Sequence, residues 1–230
     1  EYCPMNSLPF KTKICGIRRA VDYFGVAIAG AGAFGLNFYP GSKRFVTVEA
    51  AAFAKSRPNG LSCVGVFVNS TIDEIAAPHR SIGFDFLQLH GDETPEFLAE
   101  LKAALKLPII RALRFAPTDS HTIDNYLERA AALQALPDAL LLDAFQTGAY
   151  GGTGAVADWQ AIADWRTKSA IDIPLILAGG LTAENVAEAI RIVRAAAVDT
   201  ASGVESSPGC KDIDMMNRFV AAANQAYAAM

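Results

Sequence analysis

Four side chains able to move a proton stand where short apolar runs end. They are Cys15 in "KTKICGIRRAVD", His90 in "FDFLQLHGDE", Asp143 in "ALLLDAF" and Asp199 in "AAAVDTA". A thiol becomes a competent base once positive charge or N–H dipoles favour its thiolate. A carboxyl in a partly dry site can be raised far enough to donate a proton near neutral pH. One base and one acid on opposite sides of a substrate make a proton-shuttling pair. Cys15 also admits a plainer reading, as a small hydrophobe in a core, and position alone does not separate the two. Lys13 shares its strand face and could either favour the thiolate or pair with a carboxylate such as Asp199.

A second group of residues suits an anion. "LAGGLT" closes one apolar run with Gly179 and Gly180, and "ASGVESSPG" follows the last run with Ser202 and Gly203. Glycines let backbone N–H groups come close to a phosphate; the alternative is ordinary turns. Arg44, in "YPGSKRF", could hold a carboxylate with two prongs or be a solvated surface charge. The stretch "DAFQTGAYGGTGAVADW" groups Gly151, Gly152 and Gly154 in a loop long enough to fold over a ligand, or to be a loose connector.

These residues need a scaffold that brings strand ends together. Eight short apolar runs ("TKICGI", "AFGLNFY", "SCVGVFV", "FDFLQLH", "PIIRALRF", "ALLLDAF", "PLILAGG", "AAAVDTA") alternate with amphipathic stretches such as "TPEFLAELKAAL", "IDNYLERAAALQ" and "TAENVAEAIRIV". Thr71, Thr94 (with Pro95) and Thr182 (with Asn185) are expected helix caps. From Cys15 to Asp199 each unit averages about 26 residues, enough for a strand, a crossover helix and two loops. Eight such units predict an α/β fold, a closed (β/α)8 TIM barrel in a single domain, with chemistry at the C-terminal ends of its strands. A doubly wound open sheet is the alternative, but it more often uses five to seven strands. The domain is expected over residues 11–230, with residues 1–10 an N-terminal extension, tag-like or disordered.

"GAGAFG", residues 30–35, matches the dinucleotide fingerprint letter for letter. That fingerprint must follow a strand and open a helix, whereas here helix-like "RRAVDYFGVAIA" precedes it and a strand follows. The glycines are expected to end a helix instead.

Bulk properties narrow the partners. The chain has 230 residues, 52% hydrophobic, with a net charge of −4. No basic cluster follows a phosphate backbone, so nucleic acid is not expected. No apolar run approaches the roughly 18 residues that cross a bilayer, and no signal-peptide pattern is evident, so no membrane partner is expected. Cys3, Cys15, Cys63 and Cys210 are widely spaced, and with three histidines they offer no zinc-like ligand pattern. Cys63 reads as core. Sparse, unpaired cysteines suit a reducing cytoplasm. The expected partner is a small phosphorylated molecule, bound by a monomer or a homodimer.

In order, "KICGI", "VGVFVN", "LQLHGDE", "LLDAFQTGAYGGTGAVADW", "LAGGLTAENVAEAI" and "VDTASGVESSPGCKD" resemble the phosphoribosylanthranilate isomerase family of tryptophan biosynthesis, from about residue 11 onward. The resemblance implies an Amadori rearrangement of N-(5-phosphoribosyl)anthranilate to 1-(2-carboxyphenylamino)-1-deoxyribulose 5-phosphate, without metal or cofactor. It puts the general base on Cys15 and the general acid on Asp143. Arg44 would hold the anthranilate carboxylate, and Gly179, Gly180, Ser202 and Gly203 the phosphate, with His90 and Asp199 in supporting positions. Two residues depart from the family pattern: Arg18 stands where Thr is usual, and Ala201 where Ser is usual. Three rival readings make different demands on the residues. A Schiff-base lyase wants a lysine at a strand end. A silent phosphosugar-binding barrel would lack the acid–base pair. An aminoaldose isomerase of histidine biosynthesis would place Asp where Cys15 stands.

Overall fold

Eight parallel strands close into a barrel in sequence order, the last returning to the first. They are β1 (Thr12–Cys15), β2 (Ala33–Asn37), β3 (Ser62–Phe67), β4 (Phe86–Leu89), β5 (Ile109–Phe115), β6 (Ala139–Ala144), β7 (Leu175–Leu177) and β8 (Ala197–Thr200). The computed structural model describes residues 8–144 and 158–230. Each of the eight apolar runs read from the sequence supplies one strand. β8 pairs with β1 through Thr12↔Val198 and Lys13↔Asp199.

Strand alternation divides the apolar residues between two layers. Ala33, Val64, Val66, Ile110, Ala112, Leu141, Ile176 and Ala197 fill the barrel interior. Ile14, Phe34, Leu87, Ile109, Leu140, Leu142 and Val198 point outward under the helices. Phe10 also belongs to the interior cluster, packing edge-on to Phe86 at 5.6 Å between ring centres. Burying such a ring is worth roughly 1.5–3 kcal/mol. Phe10, just ahead of β1, thus packs into the barrel interior; residues 1–7 lie outside the described part.

The outer ring holds α1 (Ala20–Ala29), α2 (Ile72–Ile82), α3 (Pro95–Leu105), α4 (His121–Ala132), α5 (Trp159–Lys168), α6 (Val186–Val193) and α7 (Ile213–Ala228). Thr71 caps α2 in a reciprocal box with Glu74, and Thr94 caps α3 by accepting from Phe97 N. The Thr182 cap serves a turn ahead of α6 instead. Thr182 N donates to Asn185 Oδ1 at 2.8 Å, and the helix begins at Val186. Between β2 and β3 a short 3₁₀ segment, Ala50–Lys55, replaces a full helix. Pro58 biases Arg57 toward extended backbone and cuts that run short. Gly30 ends α1 in the left-handed region and β2 starts at Ala33, so "GAGAFG" closes a helix as expected. After β8 come a three-residue 3₁₀ turn, Ser202–Val204, and a small hairpin of β9 (Glu205–Ser207) and β10 (Cys210–Lys211). Among the described residues, no helix is long and apolar enough to cross a membrane.

Candidate active site

The C-terminal rim of the barrel opens into a cavity of about 880 Å³. Cys15, His90, Asp143 and Asp199 line it from β1, the end of β4, β6 and β8. Arg44, Gly179, Gly180 and Ser202 line it from the loops after β2, β7 and β8. Gly203 follows Ser202 in the 3₁₀ turn after β8. It packs against the Leu181 carbonyl so closely that a Cβ would collide with it, and Thr200 Oγ1 donates to the same carbonyl at 2.7 Å. These contacts tie the loop after β8 to the loop after β7. Gly179 and Gly180 both take positive φ, 91° and 65°. Gly151, Gly152 and Gly154 lie outside the described residues.

Cys15 is half-buried at the tip of β1, and Gly35 on β2 makes room for it: a Cβ there would stand 2.7 Å from its Sγ. Beneath it Lys13 Nζ meets Asp199 Oδ1 at 2.9 Å, with Lys13 fully buried. Burial pushes the Cys15 thiol up; Lys13 and Lys211 work against that rise and Asp199 adds to it. Lys13 thus both pairs with Asp199 and opposes the rise of the Cys15 thiol. Burial disfavours its ammonium, but Asp199 and Cys15 outweigh it and hold its pKa above the ordinary value. A lysine so buried and paired presents no free amine to a carbonyl, which weighs against the Schiff-base reading. Burial likewise pushes the Asp199 carboxyl up, with Lys13 opposing.

Asp143 sits on the same inward face as Leu141. Its Oδ2 is 3.5 Å from His90 Nε2, and Gln88 Nε2 lies 2.8 Å from His90 Nδ1. The loop that carries His90 is pinned by a buried pair. Glu93 accepts from Asn69 N, Gly91 N and Arg111 Nη1 at 2.8, 2.9 and 2.8 Å. Arg111 also donates to the carbonyls of Leu89 and Gly91.

Arg44 is not a solvated surface charge. Its Nε and Nη2 grip Glu205 in a two-pronged contact at 2.7 Å each, and its stem lies over the α-carbon of Gly16. Glu205 Oε1 also accepts from Lys211 Nζ at 2.8 Å, and Lys211 donates to the Ala201 carbonyl at 2.7 Å. Ala201, the residue that departs from the family pattern, thus contributes its backbone to this network. Burial pushes the Glu205 carboxyl up, but Arg44 and Lys211 override it and hold it below the usual glutamate value. No local sequence pattern marks Glu205 or Lys211 as site residues. Arg44 and Glu205 are 161 positions apart, and no local period links them. Arg18, the other departure, points its guanidinium at the Lys43 carbonyl on the surface.

Among the described residues, no group of three His, Cys, Asp or Glu side chains could hold a metal ion.

The family model described as "N-(5'phosphoribosyl)anthranilate (PRA) isomerase" matches residues 12–222. The N-(5'-phosphoribosyl)anthranilate isomerase of Ruegeria sp. (strain TM1040) is 44% identical over 218 residues, covering 93% of this chain and 97% of the relative. The crystal structure of phosphoribosyl anthranilate isomerase from Thermotoga maritima superposes with a TM-score of 0.81 at 34% identity, covering 94% of this chain and 99% of that one. A phosphoribosyl anthranilate isomerase in complex with reduced 1-(o-carboxyphenylamino)-1-deoxyribulose 5-phosphate superposes with a TM-score of 0.78 at 33% identity, with the same coverage.

Proposed function

Since the chain belongs to the N-(5'-phosphoribosyl)anthranilate isomerase family, we propose that Cys15 and Asp143 drive its rearrangement as general base and general acid. The chain is an isomerase of tryptophan biosynthesis. The observation that carries the two residue roles is that Cys15 and Asp143 face one cavity from β1 and β6, on opposite sides of the barrel mouth.

The chemistry proceeds in two halves. Asp143 gives its proton to the furanose ring oxygen. The C1′–O bond breaks while the anilino nitrogen's lone pair forms the C1′=N⁺ iminium. Cys15, as thiolate, then removes the proton on C2′, and the electron pair of that C–H bond neutralises the iminium to an enolamine. Gain of a proton at C1′ and loss of one from the C2′ hydroxyl yield the ketone. Every step is a proton transfer or a bond opening within one molecule, so the sequence calls for neither metal nor redox cofactor. Lys13 and Lys211 limit the burial penalty on the thiolate. Asp199, held by Lys13, keeps that cation beneath the thiol.

The substrate is a dianion at one end and a carboxylate at the other. Gly179, Gly180, Ser202 and Gly203 offer the phosphate side through the loops after β7 and β8. Arg44 would hold the anthranilate carboxylate with the N–H groups that Glu205 leaves over. The bound phosphorylated product analogue in the related structure supports this ligand class. One chain supplies the whole cavity wall described, so a monomer or a homodimer can work. Unpaired Cys15, Cys63 and Cys210 fit a cytoplasmic setting.

The test follows the loss of phosphoribosylanthranilate fluorescence when purified protein is added without metal. A prompt decay with product formation is expected. A trace no faster than spontaneous substrate breakdown would reject the reading.

A further inference from the structure

We propose that Glu205 is a positioning residue that presets the Arg44 guanidinium for a planar carboxylate, and so makes the site select a phosphoribosylated aromatic amine that carries one. The inference rests on Arg44 being the carboxylate anchor.

A guanidinium can take a carboxylate with two prongs along either of two edges. Glu205 occupies the edge formed by Nε and Nη2, at 2.7 Å to each. Among the described residues Arg44 bonds only through N, Nε and Nη2, which leaves the other edge, Nη1 with the second N–H of Nη2. Unlike Arg111 Nε, Arg44 Nη1 is not a buried atom without a partner, so solvent reaches it. Arg44 and Glu205 both line the cavity.

The rest of Arg44 is already fixed. Its backbone N donates to Ser42 Oγ at 3.1 Å, and Asn37 Nδ2 donates to the same hydroxyl at 3.2 Å. Its stem lies over the α-carbon of Gly16, where a Cβ would collide with it. What remains is the setting of the guanidinium plane, and the contact with Glu205 removes that freedom. A donor pair ordered before the ligand arrives spares the cost of ordering a long side chain on binding.

Charge decides whether such a partner helps. A carboxylate left unbalanced beside the anchor would repel the carboxylate of the ligand. Lys211 Nζ, fully buried, meets Glu205 Oε1 at 2.8 Å. The three groups together therefore keep one net positive charge. Tying the loop after β2 to the β9–β10 hairpin would need only the Arg44–Glu205 pair. The second cation is what keeps the anchor attractive to an anion.

The experiment compares two stable ligands by titration calorimetry at pH 7. One is reduced 1-(o-carboxyphenylamino)-1-deoxyribulose 5-phosphate, and the other is its phenylamino counterpart without the carboxylate. The ratio of their dissociation constants is read, because both carry the same sugar and phosphate. Glu205→Leu/Lys211→Met removes one charge of each sign and puts apolar side chains of similar volume in their place. The preference for the carboxylate ligand should fall about tenfold or more, since the held two-pronged contact is lost at unchanged net charge. An equal loss for both ligands, or no loss, would show a structural tie only and overturn the proposal. Should the double variant fail to fold, Glu205→Gln decides by sign. It raises the net charge around the anchor, so a preference that holds or rises overturns the proposal and a fall supports it. Arg44→Ala separates the two assignments. It should collapse the preference at least as far; if it does so while the Glu205 variants do not, only the positioning role is lost. A preference that survives Arg44→Ala would remove the carboxylate anchor, and the proposal with it.

Discussion

Lys13 and Asp199 close the barrel with a buried ion pair, Nζ to Oδ1 at 2.9 Å, at the point where β8 returns to β1 in register. Removing one member of such a pair leaves an uncompensated buried charge, a loss of about 3–5 kcal/mol. Directly above them Cys15 shares the inward face of β1, so the seam of the fold is also the electrostatic floor of the site.

Lys13→Met should push the Cys15 thiol higher still, because Lys13 is the strongest influence holding it down against burial. The pH profile of Cys15 alkylation by iodoacetamide, read by peptide mass mapping, is expected to move to higher pH. The double variant Lys13→Met/Asp199→Asn should regain stability without regaining thiol reactivity. A profile that stays in place would separate Lys13 from the thiol.

Cys15→Ala and Asp143→Asn should each lower kcat by about 10²–10⁴-fold, the range for loss of one proton-transfer partner. Circular dichroism should remain that of a folded barrel. Turnover near the parent rate in either variant would remove that residue from the chemistry.

Gly35→Ala tests the room left for the thiol. The new methyl would stand 2.7 Å from Cys15 Sγ and 3.3 Å from Lys13 Nζ, so one of them must move. The expected result is a fall in kcat of tenfold or more, since a misplacement of about 1 Å can cost 10²-fold. Unchanged kinetics would mean that the thiol's position is not critical.

Glu205 links acid stability to the Arg44 anchor. Its folded carboxyl is held below the ordinary value of 4.5 by Arg44 and Lys211, against burial. Stability from this group is therefore complete above the unfolded value and is lost as pH falls through the folded one. Thermal unfolding should show that loss below about pH 4.5, and Glu205→Gln should flatten it. At pH 7 the substitution should cost about 3 kcal/mol, roughly 10 °C in Tm. An unchanged melting temperature would contradict the network. Arg44→Ala should mainly raise KM, because the contact exists in ground and transition states alike; a large drop in kcat at constant KM would argue otherwise.

The local patterns in this chain were sufficient for the barrel. Apolar alternation fixes strand faces, and a unit of about 26 residues leaves little choice but a strand and its crossover. The same reasoning placed Cys15, His90, Asp143 and Asp199 at strand ends, because strand ends are where apolar runs stop. What no local pattern could supply was pairing across the mouth. Glu205 answers Arg44 from 161 residues away, Lys13 settles on Asp199 only when β8 closes on β1, and Gly203 packs against the Leu181 carbonyl of the neighbouring loop. Periodicity is a property of neighbours along the chain. Desolvation and ion pairing depend on which groups the closed barrel packs within a few ångströms of each other.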